Sequence, residues 1–301
     1  MVELLSPVGD FECLKAAVQN GADTVYFGAS SFSARAFASN FNDDDLKKAI
    51  TYAKIRGIKT NLTLNTLLKD NEFNDAIKLA EKAYIYGIDA IIVQDLGFAK
   101  YLIENFPGLA VHASTQLSVH NLEGVLKLQE LGFSRVVLSR ELSLPEIEHI
   151  CKNSNVEIEV FVHGALCISY SGQCLFSSMV GGRSGNRGKC AQPCRLPYEL
   201  TNQSETLDKG YLMSPRDLCG LDYLPQLIKA GVSCLKIEGR MNTPEYVATV
   251  TRIYRKYLDL AKSAESNKLY KIDVQDKQDL LQVFNRGGFS AGLLSSSPIK
   301  N

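Results

Sequence analysis

Residues 86–95 read YGIDAIIVQD: a glycine at the end of an amphipathic stretch, one apolar residue, then a short Ala/Ile/Val run closed by Gln94 and Asp95. The same junction recurs at 20–28 (NGADTVYFG), 56–65 (RGIKTNLTLN), 131–140 (LGFSRVVLSR) and 230–240 (AGVSCLKIEGR). A helix ends most readily at a left-handed residue. Glycine adopts that conformation without a Cβ clash, and the chain then turns back into a strand. Repetition of this unit predicts strands alternating with helices around a parallel sheet.

The stretches between the junctions carry helical stripes. Leu46, Ala49, Ile50 and Ala53 share one face, as do Phe73, Ala76, Ile77, Ala80 and Tyr84. Adding the runs that lack a glycine junction gives candidate strands starting near Val2, Thr24, Lys59, Ala90, Ala110, Arg135, Glu157 and Cys234. Eight βα units in roughly 260 residues fit a closed (β/α)8 TIM-type barrel better than an open doubly wound sheet. Polar residues gather where each strand ends: Ser6, Gly28, Asn65, Asp95, Ser114 with Gln116, Arg140 with Glu141, His163, and Glu238 with Arg240. A barrel brings those ends to one rim, where active sites are built. The expected organisation is a barrel over 1–265, interrupted between its seventh and eighth strands by a cysteine-rich insertion at about 164–215. A closing helix is expected at 244–261 and another at 273–284. The second leads into NRGGF (285–289), within a C-terminal helical extension over 266–301 that is expected to continue into a further domain.

Composition narrows the class. Lys plus Arg and Asp plus Glu balance at 33 each, so attraction to nucleic acid or an anionic membrane must be local rather than global. No apolar run approaches the ~20 residues that span a bilayer. The first residues lack a basic stretch and reach Pro7 at once, so a cytoplasmic protein with reduced cysteines is expected.

Four of the eight cysteines lie in the 28 residues from Cys167 to Cys194, spaced Cys-x6-Cys-x15-Cys-x3-Cys. Thiolates are soft ligands for zinc or iron–sulfur clusters. Zinc knuckles present tight pairs, and here only Cys190 and Cys194 are that close, so the spacing leans towards a cluster with zinc as the alternative. Four unligated thiols in a basic loop is the plainer reading. No Asp or Glu occurs from Gly164 to Tyr198, whereas Arg183, Arg187, Lys189 and Arg195 do. These cations suit either charge compensation of a cluster or a patch facing RNA phosphates. Cys13, Cys151 and Cys234 read as small core residues. Cys219, close to the insertion, is the residue that would replace one of the four ligands.

Other rim residues are candidates for chemistry. His163 is expected to point into the mouth as a proton donor, the alternative being an imidazole satisfied by backbone. Lys236, Glu238 and Arg240 alternate and so share one face. They would form a dicarboxylate site or, as the alternative, a buried ion-pair network. His163, Glu238 and Arg240 are the expected catalytic set, with Gln116, Arg140, Glu141 and Lys236 binding substrate. No His-Glu-x-x-His or Gly-x-Ser-x-Gly motif is present.

HGALCISYSGQCLFSS (163–178), SGNRGKCAQPCRLPY (184–198), MSPRDLC (213–219) and LKIEGRMNTPEYV (235–247) together resemble the U32 peptidase, or collagenase-like protease, family. The opening ELLSPVGDFECLKAAVQNGADTVYFGA (3–29) fits too, so the resemblance covers nearly the whole chain. It implies either proteolysis or oxygen-independent hydroxylation. Several members of the family carry a [4Fe–4S] cluster and modify the tRNA wobble uridine, a ribosomal RNA cytidine or the ubiquinone ring, with prephenate as the implicated oxygen source. By that resemblance Cys167, Cys174 and Cys190 are ligands, and the fourth comes from the Cys194 position or a later loop. The QPCR pattern here sets the chain apart from the ubiquinone-type members. The implied partners are tRNA or rRNA and a small carboxylate co-substrate, with no membrane. A non-catalytic role beside a partner subunit, the metal site merely bracing the loop, is the remaining reading.

Overall fold

The computed structural model describes residues 2–35, 38–203, 205–263 and 270–295. Strands and helices alternate as β1 (Glu3–Pro7), α1 (Phe11–Gln19), β2 (Thr24–Gly28), α2 (Asp43–Lys54), β3 (Lys59–Leu64), α3 (Asp70–Tyr86) and β4 (Ala90–Val93). They continue as α4 (Leu96–Asn105), β5 (Ala110–Ala113), α5 (Leu122–Glu130), β6 (Arg135–Val137), α6 (Leu144–Asn153) and β7 (Glu157–Gly164). The insertion follows, with α7 (Phe176–Gly181), the hairpin β8 (Tyr198–Asn202) and β9 (Glu205–Gly210), and β10 (Asp217–Cys219). Then come α8 (Leu224–Ala230), β11 (Cys234–Ile237), α9 (Pro244–Ser263), α10 (Val274–Val283) and β12 (Phe289–Ser290).

Strands β1 to β7 pair in parallel in chain order, and β11 pairs in parallel with both β1 and β7. The sheet therefore closes on itself as a (β/α)8 barrel. Each barrel strand begins at the residue read from sequence except β1, which begins at Glu3. All five junction glycines are left-handed, with φ from 72° at Gly57 to 98° at Gly231. The stripe on α2 is buried as expected. On α3, Ala76 and Ala80 are buried, and Tyr84 sits at the exposed edge.

Inside the cylinder, Leu5, Tyr26, Ile92 and Cys234 form an apolar plug distinct from the main core between sheet and helices. Near it lies a charge network. Arg135 donates to Glu3 (2.7 Å), Glu157 (2.6 Å) and Glu159 (3.4 Å), and Lys236 Nζ is 2.7 Å from the other oxygen of Glu159. Glu159 is fully buried. Burial alone would raise its carboxyl, but Lys236 and Arg135 outweigh that and hold it below the usual range.

Helix α9 covers the closure, burying Tyr246, Tyr254 and Tyr257. Helix α10 is tied to it where Asp276 accepts from Tyr257 Oη (2.7 Å) and Lys256 (2.6 Å). β12 pairs with β10, which runs antiparallel to β7, so the C-terminal segment is stitched onto the barrel. The boundary expected at 265/266 lies outside the described residues. No helix among the described residues is long and apolar enough to cross a membrane.

Replacing Arg135 with Ala leaves buried Glu159 with Lys236 alone and Glu3 with Lys59 alone, an effect expected to cost about 3 kcal/mol. Urea unfolding at neutral pH checks this; a loss below about 1 kcal/mol would contradict it.

Candidate active site at the barrel mouth

The C-terminal strand ends and the insertion enclose a cavity of about 240 Å³. Tyr26, Ile92, Phe161 and Lys236 come from the barrel wall, and the four clustered cysteines come from the insertion. Six cationic side chains line it (Arg35, Arg140, Arg195, Lys236, Arg240 and Arg286), against one carboxylate, Glu238. The zero net charge of the chain thus hides a local positive excess, which favours an anionic ligand.

Lys236, Glu238 and Arg240 all face this space, although the strand itself ends at Ile237. Glu238 Oε1 accepts from Arg35 at 3.1 Å. Burial would raise its carboxyl, but Arg35, Arg140, Arg240 and Lys236 together hold it below the usual range, so it is ionised at neutral pH. Arg240 donates to Ser33 (2.8 Å) and Thr63 (3.0 Å), and burial lowers its guanidinium to about 10. Arg140 donates to the Ala165 carbonyl at 2.8 Å, and its Nε is buried without a partner. Gln116 lines the wall.

The insertion is clamped to the rim. Glu141 accepts from the Ser171 amide (3.2 Å) and hydroxyl (3.1 Å). Ser118 donates to the Ser171 carbonyl at 2.5 Å, and Gln173 donates to Ser118 at 2.7 Å. Gly172 lies so close to Gln116 that a Cβ would stand 2.3 Å from the Gln116 carbonyl oxygen, and its φ is +76°. Arg187 reaches α3, where it forks onto Glu72 (2.5 and 2.9 Å) and holds that carboxyl down to about 2. Arg195 donates to Ser214 (2.8 Å) and to the carbonyls of Pro215 (2.7 Å) and Leu166 (2.5 Å).

Cys167 is exposed, and Cys174, Cys190 and Cys194 are half-buried. Cys190 Sγ accepts the Gln192 amide at 3.3 Å. Burial pushes the Cys194 thiol up, and Arg195 works against this. A soft metal or cluster suits this donor set: four thiols on one cavity wall, an N–H onto sulfur, a guanidinium alongside and no carboxylate from the insertion itself. As the side chains stand, no group of three His, Cys, Asp or Glu among the described residues is arranged to hold a metal ion. The thiols converge without forming a finished coordination sphere. Cys219 is outside the cavity lining and packs against Tyr254 Oη, at 3.8 Å.

Several expectations are corrected by this geometry. His163 does not face the mouth. Lys236 pairs with Phe161 but Ile237 pairs with His163, so one residue is skipped and the bulge turns the imidazole outwards. There it is buried among Tyr246, Tyr254 and Phe289, with Nδ1 3.2 Å from Tyr254 Oη. Burial lowers it to about 3, so it is neutral at pH 7. Glu141 does not line the cavity but braces Ser171. The four cations do not form one patch, because Arg187 is paired with Glu72, Arg195 is folded into the insertion, and Arg183 donates to the Lys189 carbonyl at 3.1 Å. Cavity residues missed in sequence include Arg35, from the β2–α2 loop, and Arg286, from the NRGGF turn. The second had a signal, an arginine set before paired glycines just after a helix.

The sequence matches peptidase family U32 over residues 9–301. It is 42% identical over 260 residues to a 23S rRNA 5-hydroxycytidine synthase of Escherichia coli, covering 86% of this chain and 39% of that one. It is 38% identical over 268 residues to a tRNA hydroxylation protein of Bacillus subtilis, covering 85% and 63%. It is likewise 38% identical over 306 residues to a collagenase of Porphyromonas gingivalis, covering 95% and 72%. The chain therefore spans well under half the length of the first of these relatives and under two thirds of the second.

Gly172→Ala should free the insertion from the rim, because neither the φ nor the contact with Gln116 tolerates a side chain. Limited proteolysis should then cut within 164–215 faster than in the parent; equal rates would contradict the clamp. For His163, NMR titration should show no protonation of the folded chain between pH 5 and 8. Its contribution to stability should be full above the unfolded value near 6.5 and decline as pH falls towards about 3. An imidazole titrating near 6.5 in the folded state would refute its burial.

Proposed function

Because the chain belongs to peptidase family U32, we propose that it is the catalytic portion of an iron–sulfur-dependent RNA hydroxylase acting on a tRNA pyrimidine or, failing that, an rRNA one. The observation that carries this reading is the meeting of four thiols and a strongly cationic lumen in one small cavity. A space of about 240 Å³ suits a single flipped or unpaired base, or a small carboxylate, rather than a folded polymer. The names of the E. coli and B. subtilis relatives support the reaction class.

Cys167, Cys174, Cys190 and Cys194 would hold a [4Fe–4S] cluster, with zinc the alternative for the same thiols. When bound, the cluster would supply one-electron chemistry at the cavity wall. Hydroxylation replaces a pyrimidine C–H with C–OH, a two-electron oxidation that balances if a carboxylate co-substrate gives up one oxygen atom and is itself reduced by two electrons; prephenate is the candidate supplied by the family resemblance. Arg240 and Arg140 present fixed guanidiniums suited to its carboxylates, and Lys236, anchored by Glu159, adds positive charge deeper in the lumen. The Glu238 carboxylate, kept ionised by its cations, is a weak base but a strong acceptor. It suits the N–H edge of uracil or cytosine, orienting the ring rather than taking its proton. Phe161 and Tyr26 offer apolar faces for the base. A cytoplasmic setting, where RNA and reduced thiols coexist, belongs to the same reading.

The collagenase relative keeps peptidase activity as the competing reading. Among the described residues no histidine lines the cavity, so a cysteine nucleophile there would lack an imidazole base.

Nucleoside analysis of tRNA and rRNA from cells with and without the gene tests the proposal. One hydroxylated pyrimidine should vanish on deletion and return with the wild-type gene. Glu238→Gln or Arg240→Lys should restore roughly a tenth or less, as loss of one charge-assisted contact implies. Unchanged hydroxypyrimidines in both RNA pools, alongside cleavage of gelatin by the purified protein, would overturn it.

A further inference from the structure

The Asn285–Phe289 turn has no part in the chemistry described so far, yet it is built to deliver one side chain. After α10 ends, Asn285 Oδ1 accepts the Gly288 amide at 2.6 Å, and Gly287 and Gly288 hold φ of 73° and 99°. Phe289 and Ser290 are then fixed by pairing with β10. Arg286 is thereby held at the cavity wall, its Nη1 3.1 and 3.3 Å from the two carboxylate oxygens of buried Asp217. Among the described residues its Nη2 and Nε have no acceptor, and a quarter of the side chain remains exposed.

The other guanidiniums of the wall are held by protein acceptors or turned inwards: Arg140 donates to the Ala165 carbonyl, and its Nε is buried away from solvent. Arg35 is paired with Glu238, and Arg195 has three acceptors within the insertion. Lys236 and Arg240 lie deeper and are nearly inaccessible. A nucleotide whose base occupies the lumen must leave its charged backbone at the lip, where water still reaches it. Arg286 is an anchored, partly exposed cation with donors to spare, and unlike Arg35 it is anchored to a carboxylate, Asp217, that does not line the cavity.

We propose that Arg286 is an RNA-phosphate contact, gripping the phosphodiester beside the nucleotide whose base enters the cavity. The assignment rests on the RNA reading above. It makes Arg286 a positioning residue, fixing register without reading sequence.

Binding of a labelled stem–loop RNA with unpaired loop pyrimidines to the full chain, measured by anisotropy over a range of salt, tests it. Arg286→Gln should weaken binding severalfold and reduce the slope of log K against log salt by about 0.7, as expected for one lost single-strand phosphate contact. Arg286→Lys should keep most of the slope. The double variant Asp217→Asn/Arg286→Gln, which leaves no buried carboxylate unpaired, should match Arg286→Gln and so separate lost contact from lost folding. An RNA carrying a neutral methylphosphonate at the flanking linkage should bind wild type and Arg286→Gln alike. Slopes unchanged in both the single and double variants would overturn the role of Arg286 while leaving the RNA reading intact. No RNA binding by the wild type would overturn both.

Discussion

Four thiols strung along 28 residues of loop can face one cavity only if that loop is held against the barrel, and the whole site depends on this clamp. It is made of unlike contacts. The Gly172 backbone lies against the Gln116 carbonyl, Glu141 takes the amide and hydroxyl of Ser171, and Arg187 forks onto Glu72. Spread over several strand ends, these contacts fix the insertion at more than one point. A chain segment so held gives up its conformational freedom on folding rather than at the moment of binding, which is the usual advantage of preorganisation.

The barrel contributes a floor of opposite character. Arg135 and Lys236 neutralise carboxylates that burial would otherwise disfavour, and removing either cation would leave Glu159 with half of its compensation. Higher in the lumen the balance reverses, and Glu238 is surrounded by cations. The same physical rule, that buried charge must be compensated, stabilises the bottom of the barrel and leaves the top seeking an anion. Position along the strands therefore separates residues that hold the fold from residues that would hold a ligand.

Much of this was legible in the sequence, and for identifiable reasons. The glycine junctions report local backbone conformation, so the strand starts at Thr24, Lys59, Ala90, Arg135 and Cys234 could be read directly. The cysteine spacing and the alternation of Lys236, Glu238 and Arg240 pointed to residues that the fold brings to one cavity. The expectation that His163 points into the mouth failed because a bulge in β7 is a tertiary feature with no local signature. Glu141 and Arg187 sat on the expected elements but turned to structural partners, since which acceptor a rim side chain finds depends on how the insertion lies. Arg35 and Arg286 were missed because each is brought in from a loop remote from its partner, Arg35 lying 203 residues from Glu238 and Arg286 lying 69 from Asp217, and no periodicity announces such contacts. The hairpin β8–β9, mostly exposed and polar, offered no buried face to read.

We propose that the clamped loop presents its thiols to an iron–sulfur cluster. Anaerobic purification followed by iron and acid-labile sulfide analysis tests it most directly, with the Cys174→Ser/Cys190→Ser variant as the control. Wild-type protein should be brown, with about four irons and four sulfides per chain, and the variant colourless with neither. A wild-type protein that stays free of iron and sulfide after anaerobic reconstitution, or that carries zinc instead, would contradict it.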